Sequence, residues 1–221
     1  MHGRRQAGSE AMSARGHAVT VNRGTLIVFE GLDGCGKTTQ IERLAASLRA
    51  AGCDVVTTRE PTDGEFGRRI RAAARSGEAV SREDELDWFV ADRRAHASAV
   101  LRPQLAAGKI VLSDRYYLST VAYQGARGCD AARILAESEA EFPIPDLVLL
   151  FEIDPAEGLS RVRSRGSDAE PRFEQLEFLS AVAEIFHGLD RPYIARIDAA
   201  RPPEIVERAV AECVRARLGI P

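Results

Sequence analysis

The chain has 221 residues, of which 45% are hydrophobic, and its formal net charge is −3 at pH 7. This length and composition predict one globular domain with a substantial core and leave no room for a second large domain. The longest strongly apolar run, residues 147–153, is far shorter than the ~20 residues of a membrane-spanning helix, and an acidic balance does not suit general nucleic-acid binding, so neither a membrane nor a nucleic acid is expected as a partner.

Residues 1–23 are polar, contain several arginines and lack the apolar stretch of a secretory signal. We expect a disordered tail ahead of a domain at 24–221, with a start at Met12 or an organellar leader as the alternatives. Four cysteines are far apart and form no CxxC pair. They indicate neither a zinc site nor a disulfide framework, and they favour a reducing cytoplasm.

From residue 25 onward, short β-rich runs alternate with longer helical patterns, which predicts an α/β domain with a parallel sheet covered by helices on both faces. Five strands are predicted, at 25–30, 54–59, 110–114, 147–153 and 193–198. Helices are predicted at 37–51, 64–76, 82–107, 117–140, 155–164, 173–189 and 203–217. Ser81, three residues before Asp84, resembles a capping box at the start of the third helix.

The loop after the first strand reads GLDGCGKTTQ, and residues 31–38 match G-x-x-x-x-G-K-[ST] between a strand and a helix. Glycines let backbone N–H groups approach a phosphate, and the helix N-terminus adds its positive end. We expect Lys37 to reach the β- and γ-phosphates of ATP and Thr38 to ligate Mg²⁺. The other residues expected at ATP here are Gly31, Leu32, Asp33, Gly34, Cys35, Gly36 and Thr39. The alternative is a glycine-rich turn that binds nothing.

Asp33 needs a compensating partner, because an anion beside a triphosphate costs Coulomb energy. A metal ion or a hydroxyl group of a second substrate could supply it. The alternative is an outward-facing, solvated aspartate.

Charged residues also follow two predicted strands at the sheet edge where α/β proteins bind ligands. Asp114 is expected near Mg²⁺ and the phosphates, and Arg115 near the phosphoryl acceptor. Arg59 and Glu60 end the second strand and are expected at the same edge. Surface ion pairs of small energetic value are the alternative for these charges.

Two predicted helices carry side chains suited to a nucleotide. Phe89 and Arg93 are four residues apart and share a helix face, so a ring could stack on a base while a guanidinium bonds its edge; alternatively, Phe89 is a core residue. The second helix presents hydroxyl and amide groups on one face, which suits a sugar and a base edge. These residues are Ser119, Thr120, Tyr123 and Gln124.

With these motifs in order, residues 25–217 resemble the thymidylate kinases, a family of P-loop nucleoside-monophosphate kinases. The similarity includes FEGLDGCGKTTQ, TREP, FVADRRAH, SDRYYLSTVAYQGA, FEIDPAEGLSRVRSRG and RFE followed by IDA. The resemblance implies a P-loop NTPase fold with a short mobile lid, a homodimer, and the phosphorylation of dTMP to dTDP with ATP and Mg²⁺.

The resemblance also implies roles for individual residues. Phe89 would stack on thymine, Arg93 would bond its edge, and Thr120 and Gln124 would lie near the base. Tyr123 would lie against C2′ of the deoxyribose.

On the phosphate side, the resemblance implies that Arg115 and Arg59 hold the monophosphate and that Asp33 meets the 3′-hydroxyl or the metal region. Residues 198–200, which include Ala199, match the family's loop near adenine.

Residues 161–174 contain four arginines around a Gly-Ser-Asp stretch, which is typical of a lid that brings positive charge to a transferring phosphoryl group. In the family that the chain resembles, the catalytic arginine lies either in the phosphate loop or in the lid. Because position 34 is glycine, the resemblance implies that the lid supplies that charge, from Arg161, Arg163, Arg165 or Arg172. A solvated basic helix end is the alternative. The chain departs from the family pattern at Thr62 and Pro171, where glycine and aspartate are common.

Two other functions stay open from the sequence. The chain could be a kinase for another nucleotide such as dUMP, or a nucleotide-binding switch that phosphorylates nothing.

Overall fold

The computed structural model describes residues 23–77, 79–164 and 176–221. Its centre is a five-stranded, all-parallel sheet in the order β2-β3-β1-β4-β5. The strands are β1 (Thr25–Gly31), β2 (Val55–Arg59), β3 (Ile110–Asp114), β4 (Leu147–Glu152) and β5 (Ile194–Asp198). All five predicted strands are thereby confirmed, with ends that differ by one residue at most.

The helices cover both faces of the sheet. They are α1 (Lys37–Ala50), α2 (Glu65–Ser76), α3 (Arg82–His96), α4 (Arg102–Ala106), α5 (Tyr117–Ala126), α6 (Ala131–Glu141), α7 (Pro155–Ser164), α8 (Leu176–Gly188) and α9 (Pro203–Leu218). A π-helical turn, Ala97–Leu101, joins α3 to α4. None of the helices in these described ranges combines the length and the apolar character needed to cross a membrane.

The central strand β1 shows why its sequence is a continuous apolar run. Leu26 and Val28 pack into the core on one face, while Ile27 and Phe29 pack into the core on the other. Side chains alternate between the faces of a strand, so a strand covered on both faces needs apolar residues at every position. Glu30 interrupts this run and is nevertheless fully buried.

Two helix predictions need correction. The pattern at 117–140 is not one helix, because the chain turns after α5 through Gly128, whose φ is +90°. Asp130 then begins α6, where its Oδ1 accepts a hydrogen bond from the Arg133 N–H at 3.0 Å. The predicted helix 82–107 consists of two α-helices, α3 and α4, joined by the π-helical turn.

Of the two hydrogen bonds of a capping box, only the bond from the Asp84 N–H to the Ser81 side chain is present as expected. Ser81 Oγ accepts a hydrogen bond from the Asp84 N–H at 3.0 Å, but the Asp84 carboxylate accepts from the same hydroxyl. The predicted tail lies outside the described residues except for Arg23, whose Nη2 is 2.9 Å from Asp146 Oδ1.

Candidate active site

The loop between β1 and α1 has a backbone that only glycine fits well. Gly34 and Gly36 have φ values of +83° and +96°, in the left-handed region that L side chains disfavour. A Cβ on Gly34 would lie 2.2 Å from the carbonyl oxygen of Gly158. Among the described residues no side chain caps α1 and none in its first turn is acidic, so its first N–H groups can bind an anion.

Lys37, the first residue of α1, folds back across this loop. Its side chain is buried, and its Nζ donates to the carbonyl oxygens of Gly31 at 3.1 Å and Leu32 at 2.9 Å. Cys35 Sγ lies 3.7 Å from the same ammonium group. A phosphate in the loop would be a stronger partner than these neutral carbonyls, because it adds the attraction between opposite charges.

Thr38 and Asp114 meet as the sequence predicts. Thr38 Oγ1 donates to Asp114 Oδ2 at 3.0 Å, so a hydroxyl and a carboxylate lie side by side between the loop and the end of β3. This oxygen-only pair suits Mg²⁺, which uses one or two protein ligands together with substrate phosphates. No cluster of three or more His, Cys, Asp or Glu side chains that could hold a metal occurs within residues 23–77, 79–164 and 176–221.

Arg115 is the centre of the polar cluster beside the loop. It adopts a φ of +68°, which is unfavourable for a residue with a Cβ. Its Nη1 donates to the Gly31 carbonyl oxygen at 3.1 Å and to Ser119 Oγ at 2.9 Å. Its Nη2 donates to Asp33 Oδ1 at 2.6 Å, and the guanidinium lies over the Tyr123 ring at 5.2 Å.

Asp33 therefore has a partner within the protein itself. The sequence suggested a metal ion or a substrate hydroxyl as its compensating group, whereas the structure pairs it with Arg115. Burial alone would lower the pKa of Arg115, but the Asp33 carboxylate and other neighbours raise it well above its ordinary value. The guanidinium thus stays charged at this site.

Glu30 is a buried acidic residue that binds Ser119, which in turn contacts Arg115. The sequence analysis does not identify it as a site residue. Its Oε1 accepts hydrogen bonds from the Tyr116 N–H at 2.9 Å and the Ser119 N–H at 3.0 Å, and its Oε2 accepts from the Ser119 hydroxyl. Burial raises the pKa of Glu30 to about 7, although the bonds from Ser119 and the charge of Arg115 act to lower it. An acidic residue inside an apolar strand was the available signal.

A cavity of about 260 Å³ opens beside Arg115 and contains most of the predicted acceptor residues. Those that line it are Asp33, Arg59, Glu60, Phe89, Arg115, Ser119, Thr120 and Tyr123. Arg93 and Gln124 do not line it and are buried behind it. The strand ends and helix faces singled out in the sequence therefore converge on one cavity.

The rim of this cavity carries a second arginine that the sequence did not indicate. Arg71 of α2 lines the cavity, and its Nη2 donates to Asp63 Oδ1 at 2.9 Å. The predicted Arg59 is exposed and also pairs with Asp63, at 3.0 Å. The departure at Thr62 is accommodated locally, because its N–H and hydroxyl both donate to the Asp92 carboxylate, at 2.7 and 2.6 Å.

A buried network fixes Arg93 behind two residues that line the cavity, Glu60 and Thr120. Its Nε donates to Glu60 Oε2 at 2.8 Å, and its Nη2 donates to Thr120 Oγ1 at 2.9 Å. The other oxygen of Glu60 is 2.8 Å from His96 Nδ1, and His96 Nε2 is 2.7 Å from Thr58 Oγ1. His96 is therefore a further residue of the site that the sequence did not single out.

Gln124 is held on the opposite side of this region by Glu85. Its Nε2 donates to Glu85 Oε2 at 3.0 Å, and Glu85 also pairs with Arg127. Within the described part of the chain, three buried atoms here have no hydrogen-bond partner: Arg93 Nη1, a donor, Gln124 Oε1, an acceptor, and the hydroxyl of Tyr116, whose ring centroid lies 5.3 Å from the Arg93 guanidinium. Most buried polar atoms in native proteins have a partner, so these atoms are exceptions that need an explanation.

A second cavity, of about 580 Å³, lies on the other side of the loop. Its lining includes Gly34, Cys35, Gly36, Thr39, Arg161 and Ala199. Arg161 Nη1 donates to the Ala199 carbonyl oxygen at 3.0 Å, so a predicted lid arginine contacts the loop expected near adenine. Arg163 is exposed in the last turn of α7, while the predicted Arg165 and Arg172 lie outside the described residues.

Comparison with known proteins gives consistent results. A family model described as thymidylate kinase matches residues 29–210. A thymidylate kinase from Desulfotalea psychrophila is 45% identical over 197 residues, which cover 89% of this chain and 97% of that protein. Thymidylate kinases from Xanthomonas campestris pv. campestris and Xanthomonas oryzae pv. oryzae are 43% and 41% identical over 195 residues, which cover 88% of this chain and 85% of theirs.

Proposed function

The chain belongs to the thymidylate kinase family, and we propose that it transfers the γ-phosphoryl group of ATP to dTMP, forming ADP and dTDP for dTTP biosynthesis. One observation carries the proposal. Asp33 belongs to the phosphate loop and also lines the acceptor cavity, where it pairs with Arg115. A phosphate in the loop and a monophosphate at Arg115 would therefore be neighbours.

The acceptor phosphate is assigned to Arg115, with Arg59 at the rim. The Arg115 guanidinium is already fixed by Ser119 and by the Gly31 carbonyl oxygen, so little side-chain freedom is lost when a phosphate binds. Charge-assisted contacts between arginine and phosphate are strong and directional.

The base is assigned to the far end of the cavity. Phe89 lines this end and would stack on the ring. Arg93 Nη1 and Gln124 Oε1 are buried atoms without a partner among the described residues. Once the base displaces the side chains that cover them, Arg93 Nη1 would donate to the O4 carbonyl of thymine and Gln124 Oε1 would accept from N3–H. Thr120, which lines the cavity and accepts a hydrogen bond from Arg93, would lie near the base. The Tyr123 ring would exclude a ribose hydroxyl at C2′.

ATP is assigned to the loop and the 580 Å³ cavity. The loop amides, Lys37 and the N-terminus of α1 would hold the β- and γ-phosphates. Arg161 and Ala199 would border the adenine. Arg163, together with Arg165, belongs to the proposed lid at about 161–174.

Mg²⁺ would be held by Thr38 and Asp114, the hydroxyl and carboxylate that fit it. When bound, it would supply positive charge that neutralises the phosphate oxygens.

No general base is needed, because the attacking oxygen of the monophosphate is already an anion. The chain's own residues act by positioning and by electrostatics. Lys37 and the loop amides hold the donor, and Arg115 holds the acceptor oxygen in line with it. Asp33 and Glu30 keep Arg115 in place.

The test is ADP release measured with and without an acceptor. We expect dTMP-dependent release in the order dTMP, then dUMP, with UMP and CMP far behind. Release that does not depend on any acceptor would favour a nucleotide-binding switch, and a preference for UMP would contradict the role of Tyr123. Arg115→Ala should abolish transfer, whereas Arg94→Ala, which removes an exposed arginine paired with Glu141, should not.

We also propose that the protein is a homodimer and acts in the cytoplasm, as the resemblance and the cysteine pattern imply. Light scattering coupled to size-exclusion chromatography tests the first proposal, and a single-chain mass would contradict it. Imaging of a C-terminally tagged chain tests the second.

A further inference from the structure

Glu85 is a buried acidic residue that contacts neither nucleotide in the function proposed above. It lies in the first turn of α3, is 3% exposed, and accepts a hydrogen bond from Gln124 Nε2 at 3.0 Å. Glu85, Phe89 and Arg93 follow one another at intervals of four residues and so form one stripe along α3. Its place on the stripe that bears Phe89 and Arg93 connects Glu85 to the base end of the cavity.

The contact with Glu85 fixes which end of the Gln124 amide points away from it. A carboxylate paired with a guanidinium only accepts hydrogen bonds, whereas a glutamine amide has a donating end and an accepting end. The nitrogen of Gln124 must therefore face Glu85, and the oxygen must face elsewhere. That oxygen is the buried Gln124 Oε1, which has no partner among the described residues.

We propose that Glu85 is a positioning residue that determines which base the acceptor nucleotide carries. By holding the Gln124 amide in one orientation, it presents an acceptor to the N3 position of the pyrimidine. Thymine and uracil carry a hydrogen at N3 and can donate to it, whereas cytosine presents a lone pair there. This inference rests on the proposed function, because it assigns the base to the region between Arg93 and Gln124.

Arg93 reinforces the same choice but does not depend on Glu85. Its Nη1 is a donor and suits the O4 carbonyl of thymine rather than the amino group of cytosine. It is fixed by Glu60 and Thr120 instead. A change at Glu85 should therefore reduce discrimination against cytosine without removing it.

The test is Glu85→Gln, assayed with dTMP, dUMP and dCMP. A glutamine at 85 can donate to Gln124 Oε1, so the Gln124 amide can turn and present its nitrogen to the base. We expect the ratio of kcat/KM for dTMP to that for dCMP to fall about tenfold, the value of one hydrogen bond. The ratio for dTMP to dUMP should not change, because both bases carry N3–H. The inhibition constant of dCMP against dTMP gives the same comparison where its turnover is slow.

Three further variants separate positioning from simple loosening of the fold. Glu85→Asp keeps a carboxylate and should retain the wild-type ratio. Arg127→Lys keeps a positive charge beside Glu85 and leaves the contact with Gln124, so it should also retain that ratio. Glu85→Met has no polar atom to fix the amide and should lower the ratio, which provides a second test if Glu85→Gln does not fold.

The outcomes distinguish this inference from the proposed function. Wild-type protein without dTMP-dependent ADP release would overturn the function and, with it, the reason for the inference. Active wild-type protein together with an unchanged dTMP to dCMP ratio in Glu85→Gln would overturn the role of Glu85 alone. Equal losses for all three nucleotides in Glu85→Gln and Arg127→Lys would also overturn it, since they would show a purely structural effect.

Discussion

Glu30→Gln should change how the stability of the protein depends on pH. Glu30 is fully buried, and burial raises its pKa from 4.5 to about 7 in the folded protein. Between these two values the folded chain keeps a proton on Glu30 that the unfolded chain releases. The free energy of unfolding of the wild-type protein therefore decreases as the pH rises through this window.

The size of the effect follows from the displacement of the pKa. A difference of one pKa unit corresponds to about 1.4 kcal/mol, so Glu30 should cost the wild-type protein about 2 to 3 kcal/mol of stability between about pH 5 and pH 8. Glutamine is similar in shape and does not titrate, so Glu30→Gln lacks this loss. Arg115 and Asp33, the charged groups next to the site, are present in both proteins and contribute equally.

Urea unfolding followed by fluorescence of the single tryptophan, Trp88, measures the difference at each pH. The advantage of Glu30→Gln over the wild type should grow by about 2 to 3 kcal/mol from about pH 5 to pH 8. A constant offset between the two proteins reflects the exchange of hydrogen bonds and carries no information on the pKa. Parallel curves over this range would show that Glu30 does not titrate there and would refute the reasoning.

Three further predictions concern activity. Lys37→Ala should lower kcat about 10²–10³-fold because it removes a charged donor from the phosphates. Its control, Lys109→Ala, removes a surface partner of Asp54 and should leave kcat unchanged. Comparable rates of ADP release from the two variants would exclude Lys37 from the mechanism. His96→Ala should raise KM for dTMP about tenfold and leave KM for ATP unchanged, because it removes a partner of Glu60. Steady-state kinetics measure both KM values. A similar rise in both would mean that the fold has loosened. Tyr123→Ala should reduce the preference for dTMP over ribothymidine monophosphate about tenfold. Tyr123→Phe keeps the ring and should keep the preference. The same ratio of kcat/KM for dTMP to that for ribothymidine monophosphate in the wild type and both variants would argue against contact with C2′.

The sequence predicts the phosphate loop and the five strands correctly because their signals are local. The glycine spacing of the loop reflects the geometry of a few consecutive residues, and an unbroken apolar run reflects burial on both faces of a strand. The break between α5 and α6 was missed although its signals, Gly128 and Asp130, stand in the sequence.

Some buried polar residues of the site were harder to predict than the residues at the strand ends. Asp114 and Arg115 could be placed because they follow a strand at the edge where ligands bind. Glu30, His96 and Glu85 lie inside a strand or on a helix, and each acts through a residue far away in the sequence. Composition and periodicity record that such residues are polar but not which residue each of them contacts.

By itself, then, the sequence determined the α/β alternation, the phosphate loop and the strand-end residues, since each depends on neighbours along the chain. Only the tertiary structure decided that Asp33 pairs with Arg115 and that Glu30 fixes Ser119. These contacts exist because β1 and β3 are adjacent in the order β2-β3-β1-β4-β5, although some eighty residues separate them. The order of the strands in the sheet decides which residues meet the buried charges, and the pattern of residues along the sequence does not contain the strand order.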